Sequence, residues 1–333
     1  MEGSIHVDSL GKTYQIPLRE PGIAAALASL IRPTYAEVTA VRDVSFAVQS
    51  GEMVGLLGPN GSGKTTTLKM LAGLLYPTSG KVEVAGSVPQ QRKPEFLRSI
   101  SLVMGNKTQL TWDNTVHDSF LIHKEIYGVS QGAFRTRLGE LTEMLDLAAL
   151  LPKQTRNLSL GERAKCQLVL ALLHNPRILF LDEPTLGLDV SMQIRFRSFL
   201  KEYNHRHGTT VILTSHYMAD ITSLCRRVIL INKGTVFYDG DLSEMARRTA
   251  PFKLVRITNQ GDLSGPEQTH LRELLERLHI VEQEQRNVTF RVERSQVVPL
   301  LGPLLNAGSM ADVSIFDPPI EAVIDTLYQG VMA

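Results

Sequence analysis

A two-domain α/β protein is predicted, with a largely parallel sheet in the first domain and a small α+β domain after it. Three observations predict it. The apolar runs "MVGLLG", "RILFLD" and "TVILTS" lead into a glycine loop, an acidic pair and a histidine, as buried parallel strands do at their carboxyl ends. The chain has 333 residues, more than one average domain holds. From Pro251 onward the pattern becomes β-α-β-β-α-β, the order of a ferredoxin-like domain.

The elements follow in order. Residues 4–14 and 38–57 alternate in short runs broken by glycine, which reads as antiparallel strands leading into one buried strand. Between them an insert, about 16–37, has helical apolar spacing, with Pro21 near its start and Pro33 past its end. "KTTTLKMLAGLL" puts Leu68, Leu71, Leu74 and Leu75 on one helical face, and "YPTSG" stops it. A helical segment is expected over about 106–175. Two further buried strands follow, and then a hairpin centred on Asn232-Lys233-Gly234. The domains are expected at 1–250 and 251–333.

Composition narrows the partners. Hydrophobic content is 43% and charged content 21%, which fits a packed globular protein. With 35 Lys+Arg against 34 Asp+Glu, nothing in the charge calls for nucleic acid. Cys166 and Cys225 lack neighbours at metal-ligand spacing and read as buried thiols of a reducing compartment. No apolar core follows Met1 and no apolar stretch reaches the ~20 residues of a membrane span. A cytoplasmic chain is expected, reaching a membrane only through a partner.

"GPNGSGKT" matches G-x-x-x-x-G-K-[ST] in full, after a strand and before a helix. Gly58, Gly61 and Gly63 let backbone N–H groups turn inward around phosphate oxygens; Pro59, Asn60 and Ser62 complete the loop. Lys64 supplies a point charge, Thr65 a hydroxyl for Mg²⁺, and Thr66 continues the helix start, whose positive end favours anions. Asp182 and Glu183 end a buried strand at the same sheet edge. Asp182 suits Mg²⁺, and Glu183 is placed to polarise an attacking water. His216 ends a neighbouring strand and is expected at the γ-phosphate.

A phosphate loop, "LSLGER", "ILFLDEPTLGLD" and "TSH", in this order, resembles the ATPase subunit of an ABC transporter over about residues 4–245. The resemblance implies a RecA-like sheet with an antiparallel β-subdomain and an α-helical subdomain. It also implies a head-to-tail pair of cassettes. Each ATP would lie between one subunit's phosphate loop and the Ser159 hydroxyl and Gly161 N–H of the other, with Asp189 in the loop that crosses between sites. "MGNKTQLTWDNTVHDSF" and "LALLHNPRILFLDEPTLGLDV" are similar to a subgroup associated with sodium, drug or viologen export through separate permease subunits. Export is therefore expected, with a polysaccharide-type exporter, an importer or a weakly hydrolysing regulatory cassette as alternatives.

Four departures from the family pattern bear on the site. The glutamine that touches Mg²⁺ and water in the family falls on Asn106 by spacing, with Gln109 as the alternative. The adenine-stacking aromatic is Tyr14 by strand position, or Tyr35, whose spacing to Ala40 is better once the insert is excised. The insert itself would lie on the membrane, dock on the permease or cover the β-subdomain. In the signature, Leu160 stands for a glycine, and Glu162 brings a negative charge to an anion site, to be offset by Arg163 or Lys165.

Overall fold

The computed structural model describes residues 3–17, 35–105, 107–259, 278–284, 286–306 and 310–332. The chain forms two compact units, 1–241 and 242–333.

In the first unit, β1 (Ile5–Pro17) pairs antiparallel with β2 (Tyr35–Val48) and with β4 (Ser79–Val84). Their alternate residues Ile5, Val7, Val44, Phe46, Val48, Val82 and Val84 turn inward, as the period-2 pattern requires. β3 (Met53–Leu57) belongs to a second sheet, with β5 (Ile100–Met104), β6 (Ile178–Asp182), β7 (Thr210–Thr214), β8 (Arg227–Asn232) and β9 (Thr235–Asp241). Its order is β5-β6-β7-β3-β8-β9, parallel from β5 to β8, with β9 antiparallel at the edge. All of β7 and all but the last residue of β6 are buried, which explains their unbroken apolar runs. The helix Lys64–Leu71 contributes Leu68, Met70 and Leu71 to one core shared by both sheets.

Helices Val116–Tyr127, Gln131–Leu145 and Leu160–Leu172 make up the segment expected to be helical. A buried pair ties the first of these, and the chain just past the last, to β5. His123 Nε2 lies 3.2 Å from His174 Nδ1, and His174 Nε2 lies 3.0 Å from the Ile100 carbonyl oxygen. Tyr127 stacks on both rings. Burial lowers His123 to about 3 and His174 to about 4, so both rings stay neutral.

The β8–β9 turn acts as a strut. Gly234 N–H donates to the Ser62 carbonyl at 3.0 Å, and Arg42 N–H donates to the Gly234 carbonyl at 2.7 Å. The phosphate loop is thus tied to the tip of a hairpin far along the sequence.

The second unit has a four-stranded antiparallel sheet of β10 (Phe252–Asn259), β11 (His279–Gln283), β12 (Asn287–Glu293) and β13 (Met310–Phe316), in the order β11-β12-β10-β13. Val255, Ile257, Val288, Phe290 and Val292 form its core. Among the described residues no helix is long and apolar enough to cross a membrane. The central part of the insert, 18–34, lies outside the described residues.

Candidate functional site

Parallel register brings the ends of β5, β6 and β7 together: Met104 pairs with Asp182, and Asp182 with Thr214. β3 lies beside β7 and runs into the phosphate loop, so four chain segments converge on one edge. Gly61 and Gly63 adopt φ of 78° and 106°, and Gly63 precedes the helix at Lys64. A side chain at Gly63 would come within 2.6 Å of the Ala40 carbonyl oxygen, so this position requires glycine on both counts. Lys64 is buried and curls over the loop, its Nζ donating to the Gly58 carbonyl at 2.7 Å and the Pro59 carbonyl at 3.1 Å. Desolvation lowers its pKa, while Glu183 and Asp182 oppose that shift.

The acidic end is a chain of hydrogen bonds. The Thr65 hydroxyl donates to Asp182 Oδ2 at 2.9 Å, and the Thr214 hydroxyl donates to Asp182 Oδ1 at 2.8 Å. Thr214 Oγ1 also accepts the Glu183 N–H at 3.0 Å. Glu183 Oε1 lies 2.8 Å from His216 Nε2, so the two side chains face each other across the edge. Glu183 has a φ of 54°, a left-handed conformation that costs a non-glycine residue energy and here turns its side chain out of the sheet. Gly105 makes room for that turn. Its N–H donates to the Asp182 carbonyl at 2.9 Å, and a Cβ there would lie 2.1 Å from the Glu183 carbonyl oxygen.

Ser159 N-caps the helix Leu160–Leu172. Its hydroxyl accepts the Glu162 N–H at 3.2 Å, and Glu162 Oε2 accepts the Ser159 N–H at 2.9 Å, a reciprocal capping box. The charge of Glu162 is offset by Lys153, whose Nζ lies 2.9 Å from Oε1, and not by Arg163 or Lys165 as expected. Arg163 instead lies 4.7 Å over the Trp112 ring. The Lys153 and Ser159 bonds hold the Glu162 carboxyl below the usual carboxylate range. Leu160 is exposed and reaches toward Gly187.

A family model described as ABC transporter matches residues 41–186. The ABC transporter ATP-binding protein NatA of Bacillus subtilis (strain 168) is 35% identical over 208 residues, which cover 62% of this chain and 84% of that protein. This chain is an ABC transporter ATP-binding subunit. The linearmycin resistance ATP-binding protein LnrL of the same organism is 31% identical, over 69% of this chain and 74% of that one. Proteins named for methionine import match the cassette as well. A solved ATP-binding subunit of an ABC transporter superposes with a TM-score of 0.60 at 24% identity, covering 73% of this chain and 92% of that one, which shows the shared fold.

The predicted residues of the cassette divide into groups. The loop from Gly58 to Thr66, Asp182, Glu183 and His216 meet at the sheet edge, while Ser159 and Gly161 lie at the start of the signature helix. Asp189 caps the next helix, Val190–His207, by accepting the Met192 N–H at 2.9 Å. Tyr14 pairs with Val38, two residues from Ala40 beside the phosphate loop; Tyr35 pairs with Pro17 at the far end of β2. Asn106 lies outside the described residues, and Gln109 donates to the Leu102 carbonyl at 2.8 Å, turned back on β5. Thr214, Gly105 and Lys153 escaped the sequence reading. A hydroxyl ending "TVILT" was the only visible sign of Thr214, and the other two reveal their role only through contacts distant in sequence.

Proposed function

We propose that the cassette hydrolyses ATP, paired with a second cassette, and drives export through a separate membrane permease to which it binds peripherally. The observation that carries this reading is the sheet edge itself. Glu183 faces His216 at 2.8 Å, directly beside the Thr65–Asp182 pair and the loop that holds Lys64. Lys64 and the inward backbone N–H groups would hold the phosphates, Glu183 would orient and deprotonate the attacking water, and His216 would bind the γ-phosphate. Among the described residues no three His, Cys, Asp or Glu side chains gather as a metal cluster. The Thr65 hydroxyl and the Asp182 carboxylate nonetheless make a hard oxygen pair that fits Mg²⁺, which keeps several waters and takes phosphate oxygens as ligands. Bound there, Mg²⁺ would neutralise phosphate charge.

Ser159 and Gly161, at the positive end of their helix, would meet the γ-phosphate held by the second cassette, with Asp189 at the crossing loop. Register supports Tyr14 over Tyr35 as the adenine-stacking ring, since it lies nearer the phosphate loop. Export is favoured over import by the name of another relative, the Nod factor export ATP-binding protein I of Paraburkholderia xenovorans (strain LB400), 33% identical over 74% of this chain and 78% of that one. The strand order β11-β12-β10-β13 supports a ferredoxin-like accessory domain at the end of the chain.

Glu183→Gln tests the reading. ATP affinity should stay within about threefold while turnover falls at least ~10²-fold, the scale of a lost general base. Near-normal turnover would sink the assignment.

A further inference from the structure

Behind Glu183 and His216 lies a fully buried carboxylate that the reaction itself does not use. Asp220, in the helix Met218–Leu224, has 0% exposure and collects three donors. The Thr185 hydroxyl donates to Oδ2 at 2.5 Å, the Ser215 hydroxyl donates to the same oxygen at 2.8 Å, and Arg197 donates to Oδ1 at 2.9 Å. A carboxyl group taken so completely from water needs partners on both oxygens, and here it has them.

The donors come from three separate places. Thr185 lies in the turn that starts at Glu183, closed by the Leu186 N–H bond to the Glu183 carbonyl at 3.2 Å. Ser215 Oγ also accepts the Tyr217 N–H at 3.0 Å, closing a turn with His216 at its centre. Arg197 belongs to the helix that Asp189 caps. One carboxylate oxygen therefore fixes the Glu183 turn and the His216 turn against each other, and the other oxygen ties both to the helix of the crossing loop.

We infer that Asp220 is a positioning residue, setting the separation of Glu183 and His216 and linking it to the helix that begins at Asp189. The inference rests on the hydrolytic reading given above. If that reading holds, loosening Asp220 displaces two groups needed together in the transition state, while the nucleotide contacts of the phosphate loop are untouched. The loss should then fall on kcat and spare KM.

The test uses the full chain with Mg²⁺ and ATP, measuring kcat, KM and the thermal midpoint. Thr185→Val keeps the shape and removes one donor; Thr185→Ser restores the hydroxyl. We expect kcat to fall about tenfold in Thr185→Val with KM within twofold, and to recover to within about threefold of wild type in Thr185→Ser. Asp220→Asn should lower kcat further; if it fails to fold, the Thr185 pair decides alone. An active wild type whose Thr185→Val variant keeps kcat within twofold overturns the inference and leaves the hydrolytic reading standing. So does a loss of kcat that Thr185→Ser fails to rescue. An inactive wild type overturns both.

Discussion

The sheet edge and the signature turn use the same residue types in opposite ways. At the edge, side chains bond to one another: Thr65 and Thr214 to Asp182, and Glu183 to His216. At the signature, the side chains of Ser159 and Glu162 each accept the other's backbone N–H, and the charge of Glu162 is answered by Lys153. One region brings side chains from separate strand ends into contact. The other is a closed local structure that holds a helix start in place. A hydroxyl or carboxylate in a motif therefore says little until its partners are known.

Substitutions can break this contrast, and their effects should decline in a set order. Ser159→Arg puts bulk and positive charge where a second cassette must approach. In a Glu183→Gln background it should abolish ATP-driven dimerisation, read by light scattering, and a dimer that persists would make the turn a passive cap. Gly105→Ala should lower ATPase turnover at least ~10-fold, because its Cβ meets the Glu183 carbonyl oxygen; unchanged turnover would show that the Glu183 turn has room to relax.

The helical region offers a third measurement, with the sign set by burial. His123 and His174 titrate near 3 and 4 when folded, against an ordinary 6.5, so the unfolded chain binds more protons below pH 6.5. Stability should fall as pH drops below 6.5, by on the order of 1 kcal/mol per histidine over the first unit. Denaturant titrations of wild type and His123→Phe compare the slopes, and equal slopes would contradict the neutral pair. The smallest effect belongs to Glu162→Ala, about 1 kcal/mol from loss of the capping box. The loss should be present at neutral pH and vanish in acid, because the native carboxyl titrates below its unfolded range. Equal losses at both pH values would mean that the carboxylate bonds contribute nothing.

What could be read from the sequence was local. The loop glycines, Lys64, Asp182, Glu183 and His216 sit in short windows where strand, turn and chemistry coincide, and the parallel register does bring them together. The capping box is legible too, since Ser159 and Glu162 stand at S-x-x-E spacing, whereas the partner that answers the Glu162 charge is not. Lys153 lay hidden because its partner is nine residues away across a turn. Asp220 lay hidden for a stronger reason: it meets Thr185 only because β6 and β7 are neighbours in the sheet. Tyr14 is proposed over Tyr35 on similar grounds, since linear spacing to Ala40 misses the antiparallel pairing of β1 with β2.

The hairpin tip at Asn232-Lys233-Gly234 bears on how this protein can be handled. A tight turn between the last two strands of a sheet is where an engineer would place an epitope, a fluorophore or new chain ends. Here the tip is bonded to Ser62 and Arg42, so its backbone helps to hold the phosphate loop in place. A reporter inserted there would measure its own interference.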